Sequence, residues 1–296
     1  PRKYAYMATT LKLDNMNGYN MKVAMTGANG FVGSHLKKQF PDHIIINRDD
    51  TQEQILSKLS GVDVVFNLAG APIIKRWSES YKKLLLSSRV ETTKKLVNAI
   101  NDSDVKLFIS TSAIGAYPDN NPYDESFEGY GNDFLASLTQ EWEAEANKCT
   151  KDTAIVRFGV ILGSDGGALA QMLPPFKMGL GGIIADGKMM MSWIDIEDLI
   201  HIYSYIVENK LSGIFNATSP NPLSNYHFTK ALGKALNRPT ILPLPEFVLK
   251  LLFGEGAIVL TGSKEIYPKA LLESGFEFKY PNIESSLHHL LKSKSL

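Results

Sequence analysis

Cysteine is almost absent from this 296-residue chain, where Cys149 stands alone. A single thiol forms no internal disulfide and no cysteine-based zinc cluster, and a reducing cytoplasm is the expected compartment. An excess of charge is missing too. The 31 Lys and Arg balance 31 Asp and Glu, which gives no electrostatic case for nucleic acid or an anionic membrane as partner. No apolar run approaches the ~20 residues that span a bilayer. The histidines are scattered without metal-ligand spacing, the pair His288 and His289 included, so no metal is expected. Repeats and low-complexity tracts are lacking as well. What is present is an ordinary globular composition, 44% hydrophobic and 21% charged. The length suits one large α/β domain, or a nucleotide domain with an appendage.

Residues 1–20, PRKYAYMATTLKLDNMNGYN, lack the apolar stretch of a signal peptide. They read as an upstream or vector-derived extension before Met21, or else as an arm packing through Tyr4, Tyr6, Leu11 and Leu13. From Met21 apolar runs and helical stretches alternate. KVAMT (22–26), HIIIN (43–47), VDVVFN (62–67), KLFIST (106–111), TAIVRF (153–158) and GIFNAT (213–218) read as strands. Helices are expected over 31–40, 52–60, 78–100 and 133–149, and later over IDIEDLIHIYSYIVEN, 226–236, 246–253 and 283–292. Strands alternating with helices predict a Rossmann-type, doubly wound parallel sheet covered on both faces. Residues 21–160 would form the nucleotide-binding domain. Residues 161–296, where Gly and Pro loosen the pattern, would complete the sheet and build a smaller C-terminal α/β substrate lobe.

The first strand runs straight into TGANGFVG (26–33) and then a helix. Gly27, Gly30 and Gly33 at three-residue spacing suit a tight turn, a close approach of phosphate and a close helix–sheet contact. In this strand–helix frame a dinucleotide is the stronger reading, and an unliganded glycine-rich turn the weaker. Asn29, Phe31 and Val32 fall within the same turn. The second strand ends in Asn47-Arg48, with Asp49 and Asp50 behind. Arg48 offers a planar fork for the extra phosphate of NADP, whereas Asp49 could hold the ribose of NAD. NADP is favoured. Leu68, Ala69 and Gly70, after the third strand, would lie over the cofactor.

With these pieces in place the chain resembles the extended short-chain dehydrogenase/reductases, and more narrowly the NADP-binding epimerase family proteins. TGANGFVG, NLAGAPI with KRW (75–77), SSRVETTKKLV (87–97), STSAIGAY (110–117), MSWIDIEDL (191–199) and LTGSKEIYPKALLESGFEFKYPNIESSL carry the likeness. The resemblance implies that Arg89 reaches the cofactor and that Gly159, Val160 and Ile161 run beneath the nicotinamide. It also implies a small-molecule substrate and a monomer or homodimer. Catalysis in the superfamily uses a Tyr-x-x-x-Lys pair one helical turn apart, with a Ser or Thr after the fourth strand that polarises the substrate oxygen. Ser112 fits the serine position. If FLASL aligns with the pair, Phe134 and Leu138 replace it, and neither moves a proton. Tyr117 is one replacement acid, or merely a wall of the pocket. Asp124 and Glu125 are others, and binding of NADP(H) without turnover is the third reading.

Overall fold

A computed structural model describes residues 21–292. The expectation for residues 1–20 lies outside them. Six strands form the central sheet: β1 (Val23–Thr26), β2 (His43–Ile45), β3 (Val64–Asn67), β4 (Leu107–Ala113), β5 (Asp152–Phe158) and β6 (Gly213–Ala217). They are parallel throughout, in the order β2-β1-β3-β4-β5-β6. The chain leaves β1 in one direction to make β2 and then crosses back to make β3. That reversal opens a crevice at the carboxyl ends of the strands, the place where open α/β sheets take their ligands.

Period-two alternation sorts the strand side chains to two cores. Val23 and Met25, Val64 and Phe66, and Leu107 and Ile109 face α1 (Phe31–Gln39) and the later helix Ile196–Asn209, through Leu36, Leu199, Ile202 and Ile206. Ala24, Val65 and Phe108 face α2 (Gln52–Lys58) and the helix Thr92–Asn101, through Ile55, Leu96, Val97 and Ile100. The two cores explain why the strands read as nearly unbroken apolar runs.

The helix expected over 78–100 is interrupted. It divides into α3 (Glu79–Leu86), a π-helical turn at Ser87–Glu91, and α4 (Thr92–Asn101). From this turn Ser88 accepts the Ala71 N–H and Arg89 donates to the Ala71 carbonyl, which ties the turn to the loop after β3. A further helix, Gly167–Lys177, occupies a stretch whose Gly and Pro content pointed to irregular chain. It tolerates Pro174 and Pro175 in its last turns because Leu169, Leu173 and Phe176, at helical spacing, bury against the core. Short two-stranded ladders lie outside the central sheet. Val160–Leu162 pairs with Trp193–Asp195, Gly182–Ile184 with Leu242–Leu244, and Pro122–Tyr123 with Glu265–Ile266.

Candidate functional site

Thr26, at the end of β1, is buried and joins two loops. Its hydroxyl donates to Asn67 Oδ1 at 2.8 Å and accepts the backbone N–H groups of Leu68 and Ala69 at 3.1 and 3.2 Å. The loop after β3 is thereby pinned over the glycine turn. Gly27 has φ +64°, and a Cβ there would lie 2.7 Å from the Leu68 carbonyl oxygen, so only glycine fits. A Cβ on Gly33 would lie 2.4 Å from the Gly27 carbonyl oxygen, which is why α1 can press against the turn. Gly30 is the N-cap of α1 and supplies no side chain to the first-turn N–H groups. Those donors and the positive end of the helix face the crevice uncapped. This cradle suits a diphosphate.

The crevice is a cleft of about 440 Å³. Gly27, Asn29 and Gly30 form its floor, and Ala69 to Pro72 one wall. Ser88, Thr92, Lys95 and Leu96 come from the π-turn and α4, and Ile45, Ile46 and Ile55 make an apolar side fit for a planar base. Asn47 and Arg48 close the far end. There the Asp50 carboxylate is spoken for. It accepts the Asn47 N–H at 2.7 Å and pairs with Lys58 at 2.5 Å. Burial works to raise its pKa, but these partners outweigh burial and hold it below the usual carboxylate range. Arg48 is exposed and, among the described residues, its guanidinium has no carboxylate partner.

Seven of the expected cofactor residues therefore line one cleft: Gly27, Asn29, Gly30, Asn47, Arg48, Ala69 and Gly70. The others stand elsewhere. The Phe31 ring fills the space left by Gly163, Gly166 and Gly167, each of whose Cβ atoms would fall within 3 Å of it. Val32 and Leu68 pack on the core. Arg89 lies behind the loop wall, where its guanidinium donates to the carbonyls of Ala71 at 3.0 Å and Leu85 at 3.3 Å and sits 5.4 Å from the Trp142 ring centroid. Burial pulls its pKa down to about 10. A Cβ on Gly70 would come within 3.1 Å of that guanidinium, so Arg89 shapes the wall from behind. Gly159 turns the chain from β5 into the ladder that follows it. Its would-be Cβ lies 2.6 Å from the Ser192 carbonyl oxygen, and Val160 and Ile161 continue in the ladder.

Ser112 and Tyr117, two of the expected proton-handling residues, are buried. Ser112 donates to Glu143 Oε1 at 2.5 Å. Arg157 grips the same carboxylate twice, at 2.8 and 2.7 Å, and the Tyr130 hydroxyl donates to it at 2.8 Å. With its proton committed to Glu143, Ser112 can accept a hydrogen bond but not give one. Tyr117 is wholly buried, donates to Asn216 Oδ1 at 2.9 Å and lies beneath the Arg157 guanidinium; burial raises its pKa. Glu125 accepts the backbone N–H groups of Asn216 and Ala270, and burial raises its pKa as well. Asp124 is bonded to Ser126 and faces Lys269. Phe134 and Leu138, on α5 (Phe134–Ala146), join Trp77, Leu85, Ile73 and Ile258 in an apolar cluster, with Phe134 edge-on to Trp77 at 5.2 Å. Phe134 and Leu138 thus serve packing.

A family model described as the NAD dependent epimerase/dehydratase family matches residues 23–218, and a domain of unknown function matches 244–290. The chain belongs to the NAD-dependent epimerase/dehydratase family. Within it, the chloroplastic epimerase family protein SDR39U1 homolog of Arabidopsis thaliana is 36% identical over 92% of this chain and 87% of its own length. The mouse epimerase family protein SDR39U1 is 34% identical over 90% of this chain and 98% of its own. Among solved structures, human epimerase family protein SDR39U1 (isoform 2) with NADPH is 32% identical, covers 92% of this chain and 99% of the other, and superposes with a TM-score of 0.85.

Two features of this family member were missed in the sequence. Lys95 reaches the tip of β2, and the Glu143–Arg157 pair organises Ser112. Ser88, Thr92, Lys95 and Leu96 recur at near-helical spacing, and that signal could have placed Lys95 on the cleft face. Nothing local pairs Glu143 with Arg157, which meet only through the fold.

Proposed function

We propose that the protein binds NADP(H) in this cleft and works as an oxidoreductase or epimerase of the short-chain dehydrogenase/reductase type on a small polar substrate. The observation that carries the reading is the tip of β2. Recognition of NAD asks for a carboxylate on the adenine ribose; here Asp50 is held by Lys58, and Asp49, though exposed, does not line the cleft, whereas Arg48 does and has no carboxylate partner among the described residues. The solved relative containing NADPH supports the same choice. Gly27, Gly30 and the first turn of α1 would hold the diphosphate, and Ile45, Ile46 and Ile55 the adenine. Bound there, the cofactor would supply or accept a hydride. Ser112 is 1% exposed and outside the lining of the cofactor cleft, so in this reading it would orient the substrate oxygen from the buried end of the site, as an acceptor whose own oxygen Glu143 and Arg157 fix.

A second reading, binding without turnover, is favoured by one observation: Phe134 and Leu138 lie in an apolar cluster that holds no proton donor at their positions. A single-turnover experiment separates the two. The protein is loaded with NADPH, mixed with a pooled extract of small metabolites, and followed by reduced-nicotinamide absorbance and by chromatography for interconverted isomers. Protein-dependent loss of signal or isomer formation, abolished in Ser112→Ala, is the expected result. Tight NADPH binding with neither change would replace the first reading by the second.

A further inference from the structure

The end of the cleft that holds Arg48 contains a second cation from a distant part of the chain. Lys95, on α4, sends its ammonium across to the turn after β2, where it donates to the carbonyl oxygens of Arg48 at 3.0 Å and Asp50 at 2.6 Å. An ammonium carries three N–H donors. Two are used on these carbonyls, and the group lines the same cleft as Arg48. No carboxylate lies within ion-pair distance of it among the described residues, and the nearby Asp50 is engaged by Lys58 and the Asn47 N–H. Two cations and no uncommitted buried carboxylate thus meet at one end of a cleft whose other features fit a dinucleotide. Asp49, the remaining acid of the turn, is exposed.

We propose that Lys95 is the second cation of the 2′-phosphate site: it fixes the turn that presents Arg48 and offers its remaining N–H to the phosphate. The inference rests on the NADP(H) reading given above. Arg48 contributes a planar fork and Lys95 a compact point charge, a complementary pair for a dianionic phosphate. The division also explains why the lysine belongs on α4 rather than on the turn itself. Anchored on a helix and tied to two carbonyls, its charge stays in place whether or not the exposed Arg48 side chain is ordered.

The test compares NADPH with NADH. Dissociation constants for both are measured by calorimetry for the native protein and for Arg48→Ala, Lys95→Met and Lys95→Arg. NADH lacks the 2′-phosphate, so its affinity reports the integrity of the cleft and of the fold. Lys95→Met is expected to weaken NADPH about tenfold while leaving NADH nearly unchanged, and Lys95→Arg to recover most of the difference. Equal weakening of both nucleotides would make Lys95 a structural support only and overturn the proposal. So would an unchanged NADPH preference in Lys95→Met when Arg48→Ala removes it. A native protein that does not prefer NADPH at all would overturn the NADP(H) reading itself, an outcome distinct from either.

Discussion

Phe134 and Leu138, the pair that would stand for the superfamily's tyrosine and lysine if FLASL takes that motif's place, are packing residues in the structure. They occupy one turn of α5, the spacing that would let two side chains serve one reaction centre. Here they serve packing instead. Phe134 is half-buried at the rim of its cluster, whereas Leu138 is only 2% exposed. The two should therefore respond differently to restoration of the superfamily residues. Phe134→Tyr adds a hydroxyl at a partly exposed rim and should change the thermal midpoint little. Leu138→Lys places an unpaired ammonium in the cluster, and the cost should be about 3 kcal/mol. Thermal unfolding of the two single variants checks this; equal effects would mean that Leu138 is not held as described. At this same scale the sequence was legible in part. It named Arg48 and the three glycines from their place in a strand–turn–helix frame. It also named Arg89, Ser112 and Tyr117, but their partners, Ala71, Glu143 and Asn216, could not be inferred from any short window.

The elements behave more predictably than the side chains. Strands and helices arise from patterns a few residues long, and the six strands of the sheet lie where their apolar runs stand. Exceptions occur where packing overrides a local rule. Gly167–Lys177 stays helical through Pro174 and Pro175, and the helix over 78–100 takes a π-turn at Ser87–Glu91 that is tied to the β3 loop. The tightest junction between elements is that of α1 with the glycine turn. Gly33→Ala would push a methyl against the Gly27 carbonyl oxygen, a backbone atom that cannot rotate away. The variant should lose about 1–3 kcal/mol of stability, the usual cost of overpacking, and should weaken NADPH and NADH together because the shared diphosphate cradle shifts. Denaturant unfolding and nucleotide titration report the two effects. Unaltered binding in a destabilised variant would separate the helix junction from the cradle.

Across the whole molecule, several carboxyl groups have their pKa values raised on folding, which sets a pH dependence. Burial pushes Asp198 up to about 7, although it accepts the backbone N–H groups of Lys279 at 2.8 Å and Tyr280 at 2.9 Å. Burial also raises Asp195, which accepts a hydrogen bond from Ser286. In the unfolded chain Asp198 loses its proton near 3.8, while in the folded protein it keeps it to about 7. The folded state therefore binds more protons over that interval, and this contribution to stability is full below about pH 4 and declines as pH rises toward 7. Asp50 and Asp63, whose pKa values are lowered, act with the opposite sign and cost stability as pH falls through the acid range. Between about pH 4 and 7 the native protein should lose more of its thermal midpoint with rising pH than Asp198→Asn does. Parallel profiles for the two would show that Asp198 does not govern that interval.

The sequence by itself determined the alternation that makes a parallel sheet, the glycine turn that opens it to a diphosphate, and the cation at the tip of β2. All three are written in windows of a few residues, because backbone geometry and hydrophobic period are local properties. Only the tertiary structure decided which side chains face the cleft and which are consumed in holding it. Lys95 meets the turn after β2 from 47 positions away, Tyr117 meets Asn216 across 99, and Lys264 ties to the Tyr117 carbonyl across 147. The partner of a buried polar group is whichever donor or acceptor the folded chain brings within hydrogen-bond distance, and burial without a partner is costly. That choice is made by the packing of the whole chain, not by the residues beside the group.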